Sequence, residues 1–164
     1  MNTLDRGELR ALVANLAARP EEWRHLVRHE PDQRVYELLR HDSNVMVWLI
    51  CWMEDHDTGF HDHDISSGAV AVVHGHVREE RLRLGPGPAA RTLGPGEVFD
   101  FEAADIHRVL HAGDAPAVTI NAYSPPLWRM GSYLIEPEGG LRRFSVSYAE
   151  ELRPLVEEPS VTVA

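Results

Sequence analysis

The sequence predicts an all-β barrel with a short helical prefix, and three observations carry that prediction. Helical apolar spacing is confined to the first thirty residues. Short β-rich runs occupy the rest of the chain. Gly/Pro/Asp clusters separate those runs at the intervals typical of a sandwich or barrel. At 164 residues the chain is long enough to bury one full core without disulfides. The expected organisation is therefore a single domain over 1–164, with a helical prefix over 1–30, a barrel over 33–150 and a tail over 154–164.

In the prefix, Leu4, Leu9, Leu12, Val13 and Leu16 recur close to helical spacing. "RPEEWRHLVRH" predicts a second helix starting after Pro20. The β-rich runs are "NVMVWLICWM", "GAVAVVHGHV", "REERLRL", "GEVFDF", "AVTINAY", "GSYLIE" and "RFSVSY", and the turn clusters between them include "EDHDTG", "GPGPAA", "HAGDAP" and "PEGG". The tail from Pro154 has an internal proline and no amphipathic pattern, so it is expected to be poorly ordered or to lie along the surface.

Composition narrows the function classes. The net charge of −10, with 16 Lys+Arg against 26 Asp+Glu, argues against a nucleic-acid surface, which needs clustered basic residues. No stretch approaches the length of a membrane span, and the N-terminus lacks the apolar core of a secretory signal. The single cysteine, Cys51, provides neither a disulfide framework nor a cysteine-rich zinc site. A reducing, cytoplasmic location is the default expectation, with the protein a monomer or a homodimer.

Eight of the ten histidines fall in the barrel region, and four of these form two His-x-His pairs, His61/His63 and His74/His76. On an extended chain side chains two apart share a face, so a strand at "GFHDHD" aims both imidazoles at one point while Asp62 faces away. The alternative for this pair is a solvated acidic turn. His74 and His76, split by Gly75 and followed by "VREE", read as an exposed strand end. His107 arrives on a later strand pair, in "DIHRV".

Five stretches together, "CWMEDHDTGFHDHD", "HGHVREE", "PGEV", "DIHRV" and "AYSPP", resemble the type I cysteine dioxygenases and related thiol dioxygenases of the cupin superfamily, from about Gln33 to Pro126. The resemblance implies a cupin jelly-roll β-barrel. It also implies a mononuclear Fe(II) on three neutral imidazoles, His61, His63 and His107. Three protein ligands leave open positions on an octahedral ion, as binding of both O2 and a thiol requires. Without a ligating carboxylate the ion keeps its full charge and favours an anionic thiolate. The glutamate of ordinary cupins falls at Gly68, which cannot ligate. In animal cysteine dioxygenases that place holds a cysteine cross-linked to the tyrosine corresponding to Tyr123, so no such link is expected here.

Family members carry a Ser-x-His-x-Tyr series whose tyrosine hydroxyl lies near the reacting groups. Here the series reads Thr119, Asn121, Tyr123, which gives Tyr123 the catalytic place; Asn121 keeps a hydrogen-bonding group but does not titrate. Substrate carboxylates are bound in cysteine-specific members by Tyr-x-Arg. This chain has the reversed Arg34-Val35-Tyr36, with Arg129 beyond "YSPPLW" as the other candidate. The expected activity is an Fe(II)-dependent thiol dioxygenase, taking O2 and a small thiol of the cysteine or mercapto-carboxylate type to a sulfinate. With the arginine displaced, L-cysteine is expected to be a poor substrate and a mercapto-carboxylic acid a better one. The rival readings are a metal-dependent oxygenase or isomerase acting on a non-thiol molecule, and a non-catalytic cupin that binds a small ligand.

Overall fold

The structure, a computed structural model, describes residues 2–155. Helix α1 spans Arg6–Ala17. Asp5 starts it with a capping box: its carboxylate accepts from the Glu8 N–H at 2.8 Å, and the Glu8 side chain accepts from the Asp5 N–H at 2.8 Å. Two donors that a helix start leaves unpaired are thereby satisfied. The second helix expected after Pro20 is instead two 3-10 turns, Pro20–Glu22 and Arg24–Leu26. Between them Trp23 leaves helical geometry at φ −136°, buries its ring, and donates its indole N–H to Leu16 O at 2.9 Å. That tertiary anchor wins because the segment is too short to sustain a helix by itself.

Eleven strands follow among the described residues: β1 (Val35–His41), β2 (Met46–Trp52), β3 (His61–Asp62), β4 (Ser67–His74), β5 (His76–Arg81), β6 (Ala89–Leu93), β7 (Val98–Phe101), β8 (His107–Ala112), β9 (Ala117–Ser124), β10 (Arg129–Ile135) and β11 (Leu141–Ser147). They pair antiparallel into two sheets, ordered β1-β2-β9-β4-β7 and β11-β10-β3-β8-β5-β6. This is the mostly-β, jelly-roll architecture expected, with one short N-terminal helix.

The first sheet is covered on both faces. Val47, Leu49, Ala71, Val118 and Ile120 meet Leu9, Val13 and Leu16 of α1 on one side. The alternate residues, among them Met46, Ile50, Val70, Val72 and Tyr123, turn into the barrel toward Val77 and Val109 of the second sheet. Double coverage explains why β2 and β9 read as near-continuous apolar runs rather than as alternating ones. It also places Thr119, Asn121 and Tyr123 of β9 on the interior face. β1 and β6 are edge strands with much of their surface exposed, so they carry no clear apolar period.

No helix among the described residues is long and apolar enough to cross a membrane. Of the predicted tail, Pro154 packs against the Gly59 backbone, and residues 156–164 lie outside the described residues.

Candidate metal centre

β3 is two residues long; it carries His61, and His63 follows directly after its end. Alternation along this stretch turns His61 and His63 into the barrel and Asp62 outward. Asp62 fastens the short strand to its neighbours: its carboxylate accepts from the Gly131 N–H at 3.0 Å, the Tyr133 hydroxyl at 2.5 Å, and Arg143 Nε and Nη2 at 3.0 and 3.1 Å. Burial pushes this carboxyl up, but the hydrogen bonds from Arg143 and Tyr133 outweigh it and hold the group at about 2. His107 opens β8 directly across from His61. All three imidazoles are buried, and each offers a nitrogen within 4.8 Å of the other two.

Their outer contacts fix which nitrogens face inward. His61 Nδ1 bonds to Gly59 O at 2.9 Å, and His107 Nδ1 to the Glu79 carboxylate at 2.8 Å. A ring nitrogen against a carbonyl or carboxylate carries the proton, so Nε2 of each presents its lone pair. His107 Nε2 and His63 Nδ1 are buried without a hydrogen-bond partner among the described residues. Buried polar atoms are seldom left in that state, and a cation between the rings would satisfy them. Burial, and then the neighbouring imidazoles, push His61 and His63 well below the ordinary histidine value. Both are therefore neutral imidazoles at neutral pH. Three imidazole nitrogens with no carboxylate among them suit a divalent transition metal with open positions.

Glu79, buried against His107, is a residue of the candidate site that sequence reasoning missed, since "VREE" reads as a solvated strand end. It points inward from β5 and is 3% exposed. Besides His107, it takes Arg81 Nη2 at 2.9 Å and Arg91 Nε and Nη2 at 3.1 and 2.9 Å. Burial pushes its carboxyl up; the hydrogen bonds and charges of His107 and Arg81 outweigh that and bring it to about 2. It is thus an anion that orients the His107 ring. His74 and His76 are exposed and remote from this cluster.

Gly68 lies opposite both Tyr123 on β9 and Phe101 on β7. A Cβ at position 68 would stand 2.3 Å from Phe101 Cζ. The Phe101 ring thus fills the volume that a fourth ligand or a cysteine would need, and it stacks on His63 at 4.3 Å between centroids. Tyr123 therefore has no thiol beside it. Intact-mass spectrometry and denaturing gels are expected to show one species; a thioether-linked form, for example to Cys51, would contradict the arrangement.

Tyr123 sits 5.4 Å from the His63 ring, and burial pushes its hydroxyl well above the ordinary tyrosine value, so it is a neutral donor. Behind it, Asn121 Nδ2 donates to Thr119 Oγ1 at 2.8 Å, which also accepts from Trp52 Nε1 at 3.0 Å. No hydrogen bond joins Asn121 to Tyr123 among the described residues. The series braces the wall and does not run through to the tyrosine.

The histidines and Tyr123 open onto a cavity of about 750 Å³ that is also lined by Arg34, Tyr36, Trp48, Trp52 and Glu151. Arg34 and Tyr36 both face it, as an extended segment requires. Arg34 is 3% exposed and lies over the Trp52 ring at 5.0 Å. Its backbone N–H and Nε donate to Glu151 at 3.0 and 3.1 Å, and Nη2 donates to Leu152 O. Burial pushes the Glu151 carboxyl up, but its bonds to Arg34 and the Arg34 charge hold it below the usual range. Arg129 is elsewhere: it is half exposed on β10 and paired with Asp64 at 3.0 Å, and it does not line the cavity. The segment bearing Glu151 continues to Pro154, which sits against Gly59. Gly59 has φ +67°, and a Cβ on it would stand 2.6 Å from Pro154 Cα, so only glycine fits there.

A family model described as cysteine dioxygenase type I matches residues 1–134. The chain is 23% identical over 130 residues to cysteine dioxygenase type 1 of Danio rerio, an alignment covering 73% of this chain and 65% of that protein. It thus spans just under two thirds of that relative's length. Among solved structures, a protein with a double-stranded beta-helix domain from Klebsiella pneumoniae superposes with a TM-score of 0.55 at 12% identity, over 73% of this chain and 91% of that one. TT1209 from Thermus thermophilus gives 0.54 at 19% identity, over 63% and 93%. At these identities the likeness is one of fold.

Proposed function

Because the chain belongs to the type I cysteine dioxygenase family, we propose that it is an Fe(II)-dependent thiol dioxygenase acting on a small thiol of the cysteine or mercapto-carboxylate type. The observation that supports this reading best is the buried cluster of His61, His63 and His107, with lone pairs converging and Phe101 standing where a ligating carboxylate would be. The overall change is RSH + O2 → RSO2H. Both oxygen atoms end on sulfur and no external reductant is needed. Fe(II) held by the three histidines would supply the positive charge that favours a thiolate and a centre where thiol and O2 meet.

The protein's own groups bind and orient. Arg34 offers a guanidinium for the substrate carboxylate, steadied by Trp52 beneath it, with Tyr36 alongside. Tyr123 presents a neutral hydroxyl beside His63 to the reacting end of the substrate. Thr119, Asn121 and Trp52 hold that wall in place, and the aromatic lining excludes water.

Metal analysis combined with oxygen uptake across a panel of thiols tests this. Iron-loaded protein is expected to consume one O2 per thiol and yield the sulfinate, while zinc-loaded protein consumes none. Turnover of a non-thiol compound with another metal, and no thiol-dependent uptake with iron, would instead favour the oxygenase or isomerase reading.

A further inference from the structure

The buried guanidinium that lines the cavity already has a carboxylate on it. Glu151 Oε1 accepts from both the backbone N–H and Nε of Arg34, and the Arg34 side chain is 2% exposed against 20% for Glu151. Arg153, which takes the other Glu151 oxygen at 2.9 Å, is 62% exposed, so water screens its charge. Arg28 is engaged by Glu30 at 2.8 Å. Altogether two arginines and three glutamates, Glu150 being the third, line this cavity beside the three histidines.

Building on the thiol dioxygenase reading, we infer that Glu151 is a specificity-determining residue that sets the net charge the pocket accepts. It favours a thiol whose carboxylate is accompanied by a cationic group over the same thiol without one. A carboxylate arriving at Arg34 while Glu151 is in place puts two anions on one buried cation. Like charges a few ångströms apart in a partly desolvated site repel strongly. A substrate that also carries an ammonium brings one negative charge fewer, and Glu151 is the nearby anion that favours that ammonium.

Cysteine and 3-mercaptopropionate differ only in the α-ammonium, which makes them the probes. Their dissociation constants would be measured calorimetrically, without oxygen, on iron-loaded parent, Glu151→Gln and Glu151→Asp proteins. The parent is expected to bind cysteine more tightly. In Glu151→Gln the amide oxygen still accepts from Arg34 but the charge is gone, and the ratio of the two constants is expected to move about tenfold toward 3-mercaptopropionate. Glu151→Asp, which keeps the charge, is expected to retain the parental preference. Equal changes for both thiols in Glu151→Gln, loss of the preference in Glu151→Asp, or no binding of either thiol to the parent would each overturn the assignment. Oxygen uptake recorded on the same samples separates the two ideas: a charge-dependent binding ratio without uptake supports the role of Glu151 and refutes the dioxygenase.

Discussion

Replacing His61, His63 or His107 with alanine is expected to remove most of the bound iron and all thiol-dependent oxygen uptake, while His74→Ala and His76→Ala keep both near the parental level. The three nitrogens lie within 4.8 Å of one another and two are buried without a partner. Losing any one ring leaves two ligands for an ion that must also bind substrate and O2. The 74/76 pair differs in environment. Both residues are exposed, and His74 rests edge-on against Trp23 at 5.5 Å, on the α1 side of the first sheet. Iron content by elemental analysis, read beside a circular dichroism spectrum, separates loss of metal from loss of fold. Metal stripped by the 74/76 substitutions, or retained by the other three, would show that the wrong pair has been assigned.

Arg34→Gln is expected to raise the KM for a carboxylate-bearing thiol by roughly tenfold to a hundredfold, which corresponds to about 1.5–3 kcal/mol for a charge-assisted bond. Arg129→Gln should leave it within about twofold, since an exposed ion pair contributes little. The contrast follows from placement: Arg34 is buried on Trp52 inside the cavity, whereas Arg129 lies on the outer surface with Asp64. Arg34 also secures Glu151 and Leu152, so iron content must be measured in the same variant. Parental iron with an elevated KM supports the clamp, and an unchanged KM refutes it. Arg34→Lys adds a second comparison, because it retains the charge but not the planar fork.

Much of this site was legible in the sequence because it depends on short-range alternation. Two histidines at i and i+2 on extended chain must share a face, and Thr119, Asn121 and Tyr123 obey the same rule on β9. The long apolar runs marked the doubly covered strands for the same local reason. What stayed hidden depends on which strands become neighbours. Glu79 meets His107 because β5 pairs with β8, and nothing in "VREE" reveals that two arginines and an imidazole await one of its glutamates. Glu151 reaches Arg34 across 117 positions. The ground for expecting L-cysteine to be a poor substrate was the displaced arginine, and what the sequence did not reveal is that Arg34 lines the cavity with Glu151 already bonded to it. Phe101 was silent too, since a phenylalanine in a barrel strand is ordinary and only the register to Gly68 gives its ring a role. Arg129 drew notice by its nearness in sequence to "YSPPLW", but β10 turns it outward.

The covering of the first sheet on both faces has a consequence for how the molecule breathes. β9 runs between β2 and β4, with α1 behind it and the barrel in front, and every one of its residues is buried. Its amide protons are shielded by neighbours on all sides, so they should exchange with solvent only when the whole domain opens. The stretch from Tyr148 to Leu152 belongs to no strand among the described residues and is tied to the cavity through a handful of bonds, those to Arg34 chief among them. Its amides should exchange through local fluctuations of far lower free energy. Tyr123 therefore stands on the slowest-exchanging part of the chain, while Glu151 rides on one of the fastest.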